Sequence, residues 1–336
     1  MERINDPAGL EWQKSYHYRQ IIGYKRDTMK LNLRKFQREE DYWRIRAFLG
    51  EIYQYNFRHE YSWPLYRWDY WRWHVNQNIH KFNLEAAIFL WETADGKLAA
   101  VLNPDNPGEA FLQIHPDFYN PALEVEMMSV AETQFATTRP NGQQRLCLWA
   151  HANDTLRQEI LQKRGYLRQG QTEFQRRRSL EQPITPVSTP PGYTIRCLGD
   201  EKELPLRSWA SWKAFHPNEP EIAYQGWDWY VNVQRAPLYR RDLDLVAAAP
   251  DGEIAAFCTI WFDESSRSAA FEPVGTHPDH QRKGLGKALM TEGLRRVCDL
   301  GATLAVVGSY SEAAGALYAS VGFVEYDLNE PWQKEW

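Results

Sequence analysis

The stretch Thr276–Leu289, THPDHQRKGLGKAL, gathers residue types that can hold a phosphate. Before it, SAAFEPVGTH (Ser268–His277) reads as a strand, with Pro273 marking a bulge. Gln281–Gly286 follows as a tight turn. Lys287–Leu300, KALMTEGLRRVCDL, then has the spacing of an amphipathic helix, with Ala288, Leu289, Val297 and Leu300 among its apolar positions. The first N–H groups of a helix lack intrahelical partners and lie at the positive end of its dipole, so this geometry attracts anions. Gly284 and Gly286 let backbone approach a pyrophosphate without an intervening Cβ. Arg282, Lys283 and Lys287 add charge. Two common phosphate motifs do not fit. A Walker A loop needs Ser or Thr after its Lys, and Ala288 follows Lys287. A dinucleotide fingerprint needs a third glycine where Leu289 stands.

The form that remains, Gln281-x-x-Gly284-x-Gly286 between strand and helix, resembles the acetyl-CoA pyrophosphate loop of the GNAT superfamily of N-acetyltransferases. The residues downstream strengthen the resemblance. LAVVGS (Leu304–Ser309) reads as a second buried strand, and Ser311–Tyr318 opens a helix that ends at Gly322-Phe323. This is similar to the family's helix pattern A-x-x-L-Y-x-x-x-G-F, with Ala313 or Ala314, Leu317, Tyr318, Gly322 and Phe323 in place. Ser311 replaces the usual Asn and can still cap the helix. The resemblance covers Tyr193–Tyr326. It implies acetyl-CoA as cosubstrate, held by Val274, Gly275, Thr276, Gln281, Arg282, Lys283, Gly284, Leu285, Gly286, Lys287 and Ser311.

Acetyl transfer to an amine requires a base for the ammonium proton, polarisation of the thioester carbonyl and a proton for the departing thiolate. The resemblance implies that the strand before the loop splays from its neighbour, leaving backbone groups for pantetheine. On a regular strand Glu272, Val274 and Thr276 face one way. Glu272 is then the expected general base, and Tyr318 matches the family's general acid. His277 precedes Pro278 at the strand end, and His115 occupies the same place earlier in the chain, so both read as turn residues.

These residues need a scaffold, and the sequence carries it twice. LNLRKF (Leu31–Phe36) matches YTIRCL (Tyr193–Leu198). Trp68–Trp71 matches Trp227–Tyr230, Gly96–Ala100 matches Gly252–Ala256, His115–Asp117 matches His277–Asp279, and Arg164–Tyr166 matches Val321–Phe323. The order is conserved within the chain and the offsets drift only between 156 and 162 residues, which reads as an internal duplication. Asp95-Gly96 and Asp251-Gly252 mark hairpins. The expected class is α/β (α+β): two tandem GNAT-type domains, each a mixed, mostly antiparallel sheet flanked by helices. The expected boundaries are an extension at 1–28, a degenerate domain at 29–181, a Pro-rich linker at 182–192 and the catalytic domain at 193–336. The first half reads FYNPALEV at the loop position, without Gly-x-Gly or basic cluster and with Pro121 disturbing the turn, so it is not expected to bind acetyl-CoA productively.

Composition fits this reading. The chain has 336 residues, 43% hydrophobic, with net charge −5, which does not favour nucleic acid or an anionic membrane as partner. The one dense basic run, Arg176–Arg178, reads as a solvated strand end. Four cysteines without CxxC spacing give no metal or redox motif and fit reduced thiols in a cytoplasmic protein. No apolar run reaches the ~18 residues of a membrane span. The 15 Trp and 18 Tyr cluster at Tyr61–Trp73 and Trp209–Tyr230, read first as packing and second as the wall of an acceptor pocket. The expected activity is transfer to a primary amine of a small molecule by a monomer or homodimer. The rivals are transfer to a protein amine, a non-catalytic CoA-binding module, and nucleotide binding without acyl transfer.

Overall fold

The computed structural model describes residues 30–336; the extension read at residues 1–28 lies outside the described residues. In chain order, the first half provides β1 (Asn32–Lys35), α1 (Glu39–Tyr55), α2 (Leu65–Tyr70), β2 (Phe89–Glu92), β3 (Leu98–Pro104), β4 (Glu109–Ile114), α3 (Pro121–Gln134), β5 (Gln144–His151) and α4 (Thr155–Lys163). There follow β6 (Glu173–Ser179), β7 (Thr194–Cys197), α5 (Leu204–Phe215), α6 (Trp229–Val233), β8 (Asp244–Ala248), β9 (Ile254–Asp263), β10 (Ser268–Thr276), α7 (Leu285–Asp299), β11 (Leu304–Ser309), α8 (Glu312–Ser320) and β12 (Val324–Glu335). Very short strands, 3-10 turns and the one-turn helix Leu84–Ala87 complete the inventory, and a π-helix, Trp71–His80, continues α2.

The chain folds into two compact units that each draw on separated segments. The first takes the residues up to Pro64, Phe82–Thr172 and Asn329–Trp336; the second takes Leu65–Lys81 and Glu173–Leu328.

In the first unit the strands run in the order β1-β2-β3-β4-β5 and end on the last residues of β12. All pairs are antiparallel except β4 with β5. Its core is built from Trp91, Leu102, Leu112, Met127, Leu148 and Leu161, contributed by sheet and helices.

In the second unit the order is β6-β11-β10-β9-β8-β7, again antiparallel apart from the parallel pair β10–β11. Strand β9 is buried along nearly its whole length because helices cover both faces. One face packs Phe271, Leu289, Leu294, Tyr318 and Phe323 against α7 and α8. The other packs Phe257, Trp261 and Tyr230 with Tyr66, Tyr70 and Trp73. Helix α7 lays Leu285, Ala288, Leu289, Leu294 and Val297 on its buried side and stops at Gly301, whose φ of 91° suits a residue without Cβ.

The duplication is visible in the pairing. Ala100 faces Ile114 in one hairpin and Ala256 faces Thr276 in the other. His115 N–H donates to Ala99 and His277 N–H to Ala255, both at 2.9 Å. The hairpins then diverge. From Ala100/Ile114 to Pro104/Ala110 the first register is unbroken. In the second, Cys258 faces Val274 and Ile260 faces Phe271, so Glu272 and Pro273 share the space opposite Thr259. Strand β10 therefore carries an extra residue, a β-bulge without counterpart in the first hairpin.

Two expectations change here. Phe271 and Val274 pack on the same face, three positions apart, because the extra residue resets the alternation; Glu272, Val274 and Thr276 do not form one row. The run Arg176–Arg178 is not a solvated strand end. It lies in β6, paired along β11 through Val307↔Arg176, Val306↔Arg177 and Ala305↔Arg178. Arg178 is buried and donates to the carbonyls of Val321, at the end of α8, and Pro183. Carbonyls at a helix C-terminus carry partial negative charge, which gives a buried guanidinium its partner.

Candidate active site

The turn after β10 begins with His277, whose Nδ1 accepts from Asp279 N–H at 3.3 Å; His115 makes the same bond to Asp117 at 3.1 Å. Both histidines are turn residues. The chain then passes Arg282 and Gly284 with φ of 60° and 81° and enters α7 at Leu285. No side chain caps this helix start. Its first N–H groups therefore have no intrahelical partner, the condition an anion needs. Gln281, Arg282, Lys283 and Lys287 are exposed around it, and Leu285 is buried, so only its backbone can serve a ligand. Lys283 Nζ donates to Tyr193 Oη and to the Asp279 carbonyl, both at 3.1 Å, and Gln281 Nε2 donates to the Thr276 carbonyl at 3.3 Å. A Cβ on Gly286 would lie 3.1 Å from Leu317 Cδ2, so this position also keeps the helix close to α8. The residues present fit a pyrophosphate.

The first unit treats its matching turn differently. Asn120 Oδ1 accepts from Leu123 N–H at 3.0 Å and caps α3. Pro121 starts the helix rather than disturbing it, and it removes one donor. Beyond the cap, Arg157 Nη2 donates to Glu124 Oε1 at 2.7 Å and the Tyr119 hydroxyl donates to Asp154, tying the starts of α3 and α4 together. What is left among Ile114, Tyr119, Asp154 and Arg157 is a cavity of about 20 Å³, the scale of one water.

In the second unit β10 and β11 pair only from Ser268↔Leu304 to Ala270↔Val306. Both strands continue past that point, so they part where the bulge begins. Glu272 stands at this parting. It is half-buried, and its carboxylate makes no hydrogen bond among the described residues. The Trp261 indole N–H holds its main-chain carbonyl. Burial, and then the charge of Glu173, push its carboxyl up to about 7, with Arg67 opposing. Glu173 on β6 is itself bonded to Arg67 Nη1 at 3.0 Å. Gly275, two residues past the bulge, has no room for a side chain: a Cβ there would lie 2.2 Å from Phe257 Cζ.

Tyr318 on α8 is buried, and burial with the nearby Glu272 charge raises its phenol well above the ordinary value. The hydroxyl makes no hydrogen bond among the described residues. Ser311 caps α8 by accepting from Ala314 N–H at 3.2 Å, so the cap replaces the usual Asn as expected. Arg176 donates to Ser309 Oγ, lies against Gly315 and pulls the Tyr318 phenol down slightly.

Several polar residues of the second unit carried no readable signal in the sequence. Arg67, Tyr70 and His74 lie in the first half of the chain yet belong to the second unit. Their helical spacing of three and four was the only clue, and it reads as packing. Arg207 on α5 is fully buried with its guanidinium 3.8 Å from the Phe257 ring centre. It donates to Thr259 Oγ1 at 3.2 Å and lies 3.9 Å from Asp244, which also receives the hydroxyls of Tyr230 and Tyr239. Among the described residues no group of three or more His, Cys, Asp or Glu side chains is placed to hold a metal.

Known proteins resemble this chain in sequence and in fold. Residues 205–323 match the model of the Acetyltransferase (GNAT) family. The chain is 25% identical over 256 residues to a mycothiol acetyltransferase of Paenarthrobacter aurescens, covering 71% of this chain and 73% of that one. It is 26% identical over 269 residues to a mycothiol acetyltransferase of Streptomyces bingchenggensis, covering 74% and 81%. Among solved structures, a GCN5-related N-acetyltransferase from Sphaerobacter thermophilus superposes with a TM-score of 0.63 at 16% identity, over 91% of this chain and 95% of that one. A tandem GNAT protein from the clavulanic acid biosynthesis pathway gives 0.63 at 14% identity, over 91% and 98%.

Proposed function

Because this chain is a tandem GNAT acetyltransferase that uses acetyl-CoA, we propose that its second unit transfers the acetyl group directly to a primary amine of a small molecule. Glu272 acts as general base and Tyr318 as general acid. The observation that carries this reading is a Glu272 carboxylate without a hydrogen bond among the described residues at the parting of β10 and β11, with the Tyr318 phenol close enough to feel its charge and an uncapped helix start after the same strand.

Acetyl-CoA supplies an acetyl group activated as a thioester. The turn Gln281–Lys287 and the α7 N-terminus hold its pyrophosphate, and Val274–Thr276 with Ser311 flank the pantetheine. With its carboxyl near 7, Glu272 is ionised often enough at neutral pH to accept a proton, and basic enough to take it from an ammonium through water or from the attacking amine. The N–C bond forms as the C–S bond breaks, and the Tyr318 hydroxyl gives its proton to the sulfur. Its raised pKa keeps that proton in place until the thiolate develops. No covalent enzyme intermediate is required.

Kinship with proteins named mycothiol acetyltransferase supports a small acceptor over a protein amine. No described helix is long and apolar enough to cross a membrane, and all four cysteines are free; we place the protein in the cytoplasm. The test is CoA release across amines, amino acids, polyamines and aminoglycosides, with Glu272→Gln and Tyr318→Phe beside the wild type. Unchanged turnover in both variants overturns the assignment. Binding of acetyl-CoA without turnover of any amine favours a CoA-binding module.

A further inference from the structure

The segment Leu65–Lys81 carries two polar side chains that the reaction above does not use: Tyr70, which feels the Glu272 charge, and His74 packed against it. The Tyr70 ring packs edge-on against Trp261, centroids 5.8 Å apart, and Trp261 holds the Glu272 carbonyl. The Tyr70 hydroxyl makes no hydrogen bond among the described residues. Burial and the Glu272 charge keep it protonated, so it is a donor. One turn on, the His74 ring lies 4.8 Å from Tyr70 and 4.9 Å from Trp229.

The tautomer of His74 follows from its neighbours. Asn78 Nδ2 donates to the Trp229 carbonyl at 3.1 Å, and Asn78 Oδ1 accepts from Asn232 Nδ2 at 2.7 Å. These two bonds fix which end of the Asn78 amide is nitrogen. That nitrogen lies 3.1 Å from His74 Nδ1, which must therefore accept. Burial, and then the Arg207 charge, lower the imidazole to about 4, so at neutral pH the ring is uncharged and carries its one proton on Nε2. Nothing among the described residues accepts from Nε2. Two neutral donors, locked by packing and by an amide relay, thus lie side by side among aromatic rings, and the nearer, Tyr70, feels the Glu272 charge.

We propose that Tyr70 and His74 are the acceptor-positioning residues of the second unit: their O–H and Nε2–H donate to an oxygen that the acceptor carries close to its amine. The substrate class is an oxygen-bearing amine, such as an amino sugar or amino alcohol, rather than an alkyl amine. The inference rests on Glu272 being the base. It adds that acceptor choice is written in the first half of the chain.

The test compares D-glucosamine with cyclohexylamine, which share ring size and amine but not oxygens, in wild type, Tyr70→Phe, His74→Phe and His74→Gln. In Tyr70→Phe and His74→Phe, the ratio of kcat/KM for glucosamine to that for cyclohexylamine should fall about tenfold, the scale of one hydrogen bond, with the loss in KM. His74→Gln, whose amide N–H can stand in for Nε2–H, should recover most of the ratio. An unchanged ratio, or a loss in kcat alone for both amines, overturns the positioning role while leaving the acetyltransferase reading intact. A wild type that acetylates other amines but neither of these two overturns the substrate class, and a Glu272→Gln variant as fast as wild type overturns the base assignment and with it the inference that rests on it.

Discussion

Glu173 raises Glu272. The two carboxylates come from β6 and β10, and Glu173 charge is second only to burial in lifting Glu272 to about 7. Arg67, bonded to Glu173 at 3.0 Å, works in the opposite direction. The sign of each effect sets a pH profile. Glu272 is protonated below about 7 and ionised above it, so a base role requires the higher range. With an aniline acceptor, which is unprotonated across the range, kcat/KM should rise with pH through that value. Glu173→Gln removes a like charge and should move the limb to lower pH; Arg67→Met removes an opposite charge and should move it higher. A limb that stays put in both variants would show that another group titrates.

Tyr318→Phe should slow acetyl transfer about 100-fold, the usual scale for losing one acid catalyst. The hydroxyl has no hydrogen-bond partner among the described residues, so its loss should leave the melting temperature nearly unchanged. That combination separates a proton donor from a packing residue. A comparable loss of stability with little loss of rate would favour packing on the α8 face.

Glycine substitutions should divide by cause. Gly284→Ala puts a Cβ on a residue with φ of 81°, which costs about 1–2 kcal/mol and distorts the loop; the expected effect is a several-fold higher KM for acetyl-CoA. Gly275→Ala drives a Cβ to 2.2 Å from Phe257 Cζ in a closed core. Its expected effect is on stability, about 1–3 kcal/mol by thermal melting. Phe257→Leu in the same chain should relieve part of it.

Arg207 and Asp244 should be coupled and pH-dependent. Asp244 is fully buried, and its carboxyl is raised by burial while Arg207 lowers it. In Arg207→Met the buried carboxylate loses its cation, a change worth about 3–5 kcal/mol when one partner of a buried pair goes. The sign follows from the raised carboxyl: the loss should be largest at neutral pH, where ionising Asp244 is opposed, and should fade as pH drops and Asp244 protonates. Asp244→Asn in the Arg207→Met background should recover stability at pH 7. Additive losses in the double variant, measured by denaturant melts, would show the two are not coupled.

What the sequence made legible was local. The turn Gln281–Gly286 between strand and helix, the Ser311 cap and the hairpins at Gly96 and Gly252 each depend on residues within one turn or one strand, and pattern alone finds them. What it hid was non-local. Pro273 marks the bulge in the sequence, but its effect on which way Glu272 faces shows only when β9 and β10 are paired, where one residue is too many against Thr259. Arg67, Tyr70 and His74 are about 200 residues from Glu272 in sequence and read as an aromatic packing helix. The basic run Arg176–Arg178 looked solvated because no sequence rule reveals that the strand carrying it pairs along its length with β11. Its alternation, with Arg178 aimed at the end of α8, satisfies charges that composition alone assigns to water.

The same topology decides whether the second half can stand alone. A chain starting at Gly192 keeps Glu272, Tyr318 and the whole turn Gln281–Lys287. It loses β6, which pairs with β11 from Leu304↔Ser179 to Ser309↔Phe174, and with it Glu173, Arg176 and Arg178. It also loses Tyr66, Tyr70 and Trp73 from the core beneath Trp261 and Phe257. Strand β11 becomes an unpaired apolar edge, and a row of open N–H and C=O groups on such a strand promotes aggregation. The last residues of β12, which pair with β5 in the first unit, are left without a sheet. Residues 192–336 expressed alone should therefore be insoluble or lack a cooperative melt, and should show no CoA release with any amine. A fragment that melts cooperatively and acetylates amines at the full-length rate would remove the structural ground for assigning Leu65–Lys81 and Glu173–Ser179 to the catalytic unit.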